Sequence, residues 1–169
     1  AYALTETDRD NLSEGVSAFG AEGELERWEY QLGLTALPGF DLIVGVDLER
    51  EVNGSDERDN SGVYAEVLSD FSDSWFLTLG LRQDDNEDFG EFTSYRVSSA
   101  YLIDLGGSTL KFKGAIGRGF RAPSLYEVSY NQSPWAAPPA AGLALNAEQS
   151  SGFEVGVEYS ADRYAVEVV

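Results

Sequence analysis

The chain has no cysteine, no histidine and no methionine in its 169 residues, and the first two absences each close a class of chemistry. Without Cys there is neither a disulfide framework nor a thiolate metal site. Without His the commonest general base and the commonest metal ligand are missing. Cations are scarce: 11 Lys and Arg stand against 30 Asp and Glu, a formal net charge of −19. That balance argues against nucleic acid as a partner, because phosphates are neutralised by Lys and Arg. It argues equally against docking on an anionic surface unless divalent cations intervene. No apolar run approaches the roughly 20 residues of a spanning helix, so any membrane role must use strands. No signal peptide is visible. The chain opens on Ala1-Tyr2-Ala3-Leu4-Thr5 and stops on Ala165-Val166-Glu167-Val168-Val169, both alternating as if inside a strand. Residues 1–169 are therefore expected to be one partial domain of a larger protein.

What is present is alternation. About nine segments repeat apolar residues with period 2. The first, near Ala1 to Asp10, is ragged. The second sets Trp28, Tyr30, Leu32, Leu34 and Ala36 against Arg27, Glu29, Gln31, Gly33 and Thr35. After the Pro38-Gly39 turn signal, Phe40, Leu42, Val44, Val46 and Leu48 oppose Asp41, Gly45, Asp47 and Glu49. The fourth, Gly62 to Phe71, leaves its faces unassigned. Trp75, Leu77, Leu79 and Leu81 mark the fifth, Tyr95, Val97, Tyr101 and Ile103 the sixth, and Leu110, Phe112 and Ile116 the seventh. Phe153, Val155, Val157 and Tyr159 mark the eighth, with Tyr164, Val166 and Val168 in the ninth.

The links alternate in length. Short ones fall at Pro38-Gly39, Ser72 to Ser74, Asp104 to Gly107 and Ala161-Asp162; long polar ones fall at Asn11 to Gly23, Glu51 to Ser61, Asp84 to Glu91 and Arg118 to Ser151. In an up-and-down meander successive links lie at opposite ends of the sheet, so each kind occupies its own rim, the pattern of outer-membrane barrels. A strand of about 10 residues tilted about 45° rises on the order of 24 Å, which matches the apolar band of such barrels. Trp28, Tyr30, Phe40, Trp75, Tyr95 and Tyr159 sit toward strand ends, where an interfacial girdle places aromatics.

A soluble antiparallel sheet also alternates, so alternation alone leaves both readings open. The regular link pattern, which Greek-key crossovers would break, favours the barrel. So does Gly on the polar faces, at Gly33, Gly45, Gly80, Gly117 and Gly156. A solvent face loses strand stability to Gly, whereas a body lying close inside a barrel needs small residues there. The expected fold is all-β: an antiparallel up-and-down meander of about nine strands, a segment of a transmembrane β-barrel.

Three groups of residues are candidates for chemistry. Asp84, Asp85, Glu87 and Asp88, with Asn86 and Glu91, form one acidic run; Glu49, Glu51, Asn53, Asp56, Glu57 and Asp59 form another. Clustered carboxylates suit a hard cation such as Ca²⁺, but neither run has the spacing of a defined calcium loop, and solvated loop tips explain them as well. Arg118 and Arg121 either fork onto carboxylates of the wall or meet an anionic ligand. The loop bearing Tyr126, Tyr130, Trp135, Ala136, Ala137, Pro138 and Pro139 is long enough for a binding role, with Tyr126, Tyr130 and Trp135 as ligand contacts. The Ser residues lack a nucleophile-elbow context, so no catalysis is expected, nor any cofactor beyond Ca²⁺ at the acidic loops.

The piece Phe120-Arg121-Ala122-Pro123-Ser124-Leu125-Tyr126-Glu127 resembles the FRAP-x-LYEL signature in the barrel of TonB-dependent outer-membrane receptors. Leu145-Asn146-Ala147-Glu148-Gln149-Ser150, running into Phe153-Glu154-Val155-Gly156-Val157-Glu158-Tyr159, is similar to that family's following element, with Ala147 where a Pro is usual. The resemblance implies a barrel segment in the outer membrane of a Gram-negative bacterium. Its partners would be membrane lipid, a plug domain of the same protein, the TonB complex reached through the missing N-terminal part, and a small-molecule nutrient such as a ferric siderophore or cobalamin. It also implies that Arg118, Phe120, Arg121, Ala122, Pro123, Leu125, Tyr126 and Glu127 form a structural loop, since a motif shared across receptors of different substrates is architectural. A passive porin-like or structural barrel, or a soluble β-sheet binding module, is the alternative.

Overall fold

The computed structural model describes residues 1–133, 136 and 143–169, with the side chains of residues 18, 19 and 36 left out. Of the loop residues singled out above, Trp135, Ala137, Pro138 and Pro139 fall outside the described residues. The strands are β1 (Tyr2–Ser13), β2 (Val16–Leu37), β3 (Phe40–Asn53), β4 (Asp56–Phe71), β5 (Trp75–Asn86), β6 (Gly90–Asp104), β7 (Ser108–Arg121), β8 (Glu148–Ala161) and β9 (Tyr164–Val168). They form one nine-stranded sheet in sequence order, every neighbouring pair antiparallel. One helix, α1 (Leu125–Gln132), lies between β7 and β8 and packs against β3 and β4.

Direct cross-strand partners share a face, so the register fixes the apolar surface. Leu32 pairs with Val44, Val44 with Ala65, and Ala65 with Leu81. Farther along, Leu79 pairs with Val97, Val97 with Ile116, and Ile116 with Phe153. Among the described residues no second layer lies over this face: Leu32 is 54% exposed, Leu81 58% and Phe153 82%. Among the described residues the one buried hydrophobic side chain is Leu125 on α1, whereas Asp47, Arg58, Ser69, Asp84, Asn86 and Asn131 are all buried. A soluble two-layer sheet has the opposite distribution, so the soluble alternative loses its core.

The fourth strand's faces, unassigned from sequence, are set by pairing: Val63, Ala65 and Val67 join the apolar side, opposite Gly62, Tyr64 and Glu66. Aromatics cluster toward both margins. Tyr2 packs on Trp28 at one, and Phe40, Phe71 and Trp75 pack in series at the other, with Tyr159 on Tyr164.

The link lengths require correction. The long connections expected at Asn11 to Gly23, Glu51 to Ser61 and Asp84 to Glu91 are mostly strand. Pairing runs out to Ser13–Val16, Asn53–Asp56 and Asn86–Gly90, and turns of two or three residues close these hairpins. The physical reason is that a hydrogen-bonded ladder needs backbone, not apolar side chains; once two strands rise clear of the apolar band, both faces can be polar while the ladder continues. Strands β1 to β8 therefore run 12–22 residues, longer than the expected ten. The last excursion is also shorter than expected, since β7 reaches Arg121 and β8 starts at Glu148.

On the polar face, glycine makes room for neighbouring side chains. Arg82 of β5 crosses Gly62 to reach Asp47 on β3, donating from Nη1 at 2.6 Å and Nη2 at 2.9 Å. Tyr64 lies over Gly45, its hydroxyl donating to Glu29 at 3.0 Å, and Arg82 sits 5.9 Å above the Tyr64 ring. A Cβ at Gly62 would stand 2.1 Å from Arg82 Nη2, and one at Gly45 would stand 2.3 Å from Tyr64 Cζ. The arginine tip can swing aside; the ring cannot. Gly45→Ala should therefore destabilise by about 1–3 kcal/mol, the usual cost of overpacking, and much less in a Tyr64→Ala background. Denaturant unfolding of the four variants of that cycle in detergent checks this, and equal costs in both backgrounds would mean that the ring is not what fills the space.

Candidate functional site

At the rim opposite the Pro38-Gly39 turn, residues 122–133, which follow β7, fold back over the polar face as a strap. The Ser124-Leu125-Tyr126-Glu127 sequence is a capping box. The Glu127 backbone N–H donates to Ser124 Oγ at 3.2 Å, and the Ser124 backbone N–H donates to Glu127 Oε2 at 2.8 Å. Eight residues make a marginal helix in isolation, so tertiary anchors must hold it.

The principal anchor is Arg58 on β4, whose side chain is 5% exposed. Its Nη1 donates to the Pro123 carbonyl at 2.7 Å, and its Nη2 meets Glu51 Oε2 at 2.5 Å. The other Glu51 oxygen accepts the Leu125 backbone N–H at 3.0 Å. One ion pair thus grips both sides of the helix start. Asp88 lies 3.6 Å from Arg58 Nη1, and the guanidinium covers the Phe89 ring at 5.7 Å, which ties the β5–β6 tip to the same point.

Arg121 donates to both oxygens of Glu127, at 2.8 and 2.7 Å, and lies 3.6 Å from Glu148. Phe120 stacks on Phe92, ring centres 4.0 Å apart. Asn131 donates to the Leu143 carbonyl at 2.5 Å. Under the strap is an open cavity of about 750 Å³. Its walls include Thr5, Thr7 and Arg9 of β1, Glu22, Gly23 and Glu24 of β2, Glu49 and Asn53 of β3, Asn60 of β4, and Tyr126 of α1.

A strap fastened across the polar face of an open meander, its apolar face bare, can be compared with known proteins. The family model described as TonB dependent receptor-like, beta-barrel matches residues 3–168. The chain belongs to that family. A vitamin B12 transporter, BtuB, of Photobacterium profundum is 28% identical over 155 residues, 88% of this chain and 23% of that protein. BtuB of Vibrio cholerae serotype O1 is 30% identical over 73 residues, 42% of this chain and 11% of that protein. The crystal structure of the siderophore receptor PirA from Pseudomonas aeruginosa superimposes with a TM-score of 0.78 at 27% identity, covering 96% of this chain and 32% of PirA. The chain thus spans about a quarter to a third of the length of its fuller matches.

In this receptor barrel segment the residues singled out from sequence fall into three groups. Phe120, Arg121, Ala122, Pro123, Leu125, Tyr126 and Glu127 are brought together as the strap and its β7 root. Arg118 is apart from them on β7, paired with Tyr95 and Ser151 and donating to Gln149. Tyr126 and Tyr130 stack with ring centres 6.4 Å apart. Asp84, Asp85, Glu87 and Asp88 do not converge. Asp84 accepts from Arg82 at 2.6 Å on the inner face, Asp85 points to the opposite side, Glu87 accepts the Asp59 backbone N–H, and Asp88 faces Arg58. Among the described residues no three or more carboxylates are grouped to hold a metal ion.

Sequence reasoning missed Arg58 and the Arg82–Asp47 pair. The one available signal for Arg58 was a cation placed inside the acidic run 56–59.

Two outcomes follow from the clamp. Arg58→Met leaves Glu51 and the Pro123 carbonyl without their partner, and α1 should open more easily by about 3–5 kcal/mol, with Arg58→Lys restoring only part; amide-exchange protection across Leu125–Asn131 reads this. Glu127 is held below the usual glutamate range, first by the Arg121 hydrogen bond and next by the Ser124 backbone N–H. A depressed carboxyl stabilises above its unfolded value, about 4.3, and the contribution is lost as pH falls through the folded value. Protection factors in α1 should fall below about pH 4 in the wild type and stay level over that window in Glu127→Gln.

Proposed function

We propose that this chain is wall and outer rim of a receptor in the outer membrane of a Gram-negative bacterium, which takes up a scarce nutrient by TonB-driven transport. The single observation that carries the reading is the bare apolar face on a one-layer sheet whose buried residues are polar. Lipid is the solvent such a face requires, and closed barrels are the strand-built form that satisfies its backbone. Residues 1–169 act as a partial barrel domain, completed by further strands and plugged by a domain of the same protein, which also carries the contact with TonB. The rim that carries the strap, the one long link, is extracellular and the Pro38-Gly39 rim periplasmic, the arrangement of bacterial outer-membrane barrels.

The relatives named as a vitamin B12 transporter and a siderophore receptor support a cargo of that size, cobalamin or a ferric siderophore. The same relatives, one named as a transporter and one as a receptor, support a carrier and not an enzyme. The ligand contacts are Tyr126, Tyr130 and Trp135. Ca²⁺ at Asp84, Asp85, Glu87 and Asp88 would require those side chains to leave their present partners.

The full-length protein should fractionate with outer membranes, show heat-modifiable migration on gels, and support uptake that disappears when TonB is deleted. Uptake that persists without TonB would favour the passive pore, and recovery as a detergent-free monomer would remove the membrane reading altogether.

A further inference from the structure

Arg58 stands between two elements that are distant in the chain: α1, and the turn Glu87-Asp88-Phe89 that joins β5 to β6. On the strap side its Nη1 donates to the Pro123 carbonyl at 2.7 Å, and its Nη2 holds Glu51, the acceptor of the Leu125 N–H. On the turn side Asp88 Oδ2 lies 3.6 Å from the same Nη1, and the Phe89 ring centre lies 5.7 Å from the guanidinium carbon. The Arg58 side chain is 5% exposed, so water is kept off it from both directions.

Each element is a compact unit that can lift without unravelling the sheet. The turn is closed by buried Asn86, whose Oδ1 accepts the Asp88 and Phe89 N–H groups at 3.2 Å, and the Glu87 N–H donates to the Asp59 carbonyl at 3.1 Å. The helix is too short to persist alone, and its first turn closes through the Val128 N–H to the Ser124 carbonyl at 3.0 Å. Among the described residues no backbone hydrogen bond joins helix to turn. What they share is the guanidinium. Hydrogen bonds and ion pairs weaken when water reaches them. Lifting Phe89 hydrates Arg58 and loosens its hold on Pro123 and Glu51. Lifting α1 removes the Pro123 acceptor and frees the guanidinium to leave the Phe89 ring.

We infer that α1 and the β5–β6 turn open and close as one cooperative unit, with the Arg58 guanidinium as the coupling element, so that a contact made on the turn is felt at the helix. A device of this kind needs two elements that bias one shared group, and Arg58 is that group. The Arg50–Glu57 pair of the β3–β4 hairpin is outside the unit, because register puts it on the opposite face from Arg58. The coupling is a property of the rim itself and stands whatever the receptor carries.

Amide hydrogen exchange on the full-length protein in detergent follows both elements at once. Phe89→Ala should speed exchange across Leu125–Asn131 by about fivefold or more, the lower end of ordinary coupling between sites. Coupling is reciprocal, so Ser124→Ala, which removes the helix cap, should speed exchange at the Asp88 and Phe89 amides. Arg58→Lys keeps a charge beside Glu51 without the flat fork that serves both sides, and in that background each cross effect should fall below about twofold. It is the milder change, so the test does not depend on Arg58→Met assembling. Helix exchange unmoved by Phe89→Ala overturns the coupling. Cross effects of full size in Arg58→Lys overturn the assignment to Arg58, and their loss in Phe92→Leu instead would give the coupling to the Phe92–Phe120 stack. Arg50→Gln, which breaks an ion pair on the outer face, should move neither element; exchange as fast as in Phe89→Ala would mean general loosening of the rim and would end the inference.

Discussion

An apolar sheet face with nothing packed on it is the constraint from which the rest follows. In water, exposing Leu32, Leu81 and Phe153 together would favour association or a second layer, since burying each such side chain contributes about 1.5–3 kcal/mol. Here, among the described residues, no second layer covers that face, and the buried charged residues Asp47, Arg58 and Asp84 lie on the polar side. Such a sheet is stable where hydrocarbon replaces water on one side, and there every backbone donor and acceptor must be paired within the sheet. Antiparallel ladders that link every neighbouring pair from β1 to β9, with register shifts at Asn11/Leu12 and Thr35/Leu37, answer that condition.

The inner face answers a different requirement. Its charges are not scattered in solvent but crosslinked over one or two strands, as Arg82 reaches across Gly62 to Asp47 and Lys113 reaches Glu167. Glycine on this face was expected to leave space for a body inside the barrel. At Gly45 and Gly62 the space is instead filled by Tyr64 and Arg82 of neighbouring strands. At Gly33 nothing lies within 4 Å of where a Cβ would stand, so neighbouring side chains do not account for that glycine.

The strap joins these themes. A helix too short to persist alone is fastened by one buried guanidinium and one carboxylate, each making two kinds of contact. Breaking either partner strands the other, which is why such a pair fixes position more than it adds stability. The consequence is a cavity with a roof of defined orientation, set at the rim where cargo would arrive.

Period-2 alternation made the strand number, the antiparallel order and the identity of the apolar face legible, because a side chain's face depends only on its parity along the strand. The segment from Ser124 read as irregular, and the structure shows it as a helix with a capping box at Ser124 and Glu127. Strand length was hidden, since beyond the apolar band no side-chain pattern distinguishes a ladder from a loop, as the Glu51–Arg58 pairing illustrates. The local sequence determined which way each strand faces and what family the chain resembles. Only the tertiary structure decided that Arg58 and Pro123, 65 residues apart, meet, that Asp84 and Asp85 part company, and that Arg121 is spent on Glu127. Those outcomes depend on cross-strand register and on where a folded-back segment lands, and no local pattern encodes the partner of a charge.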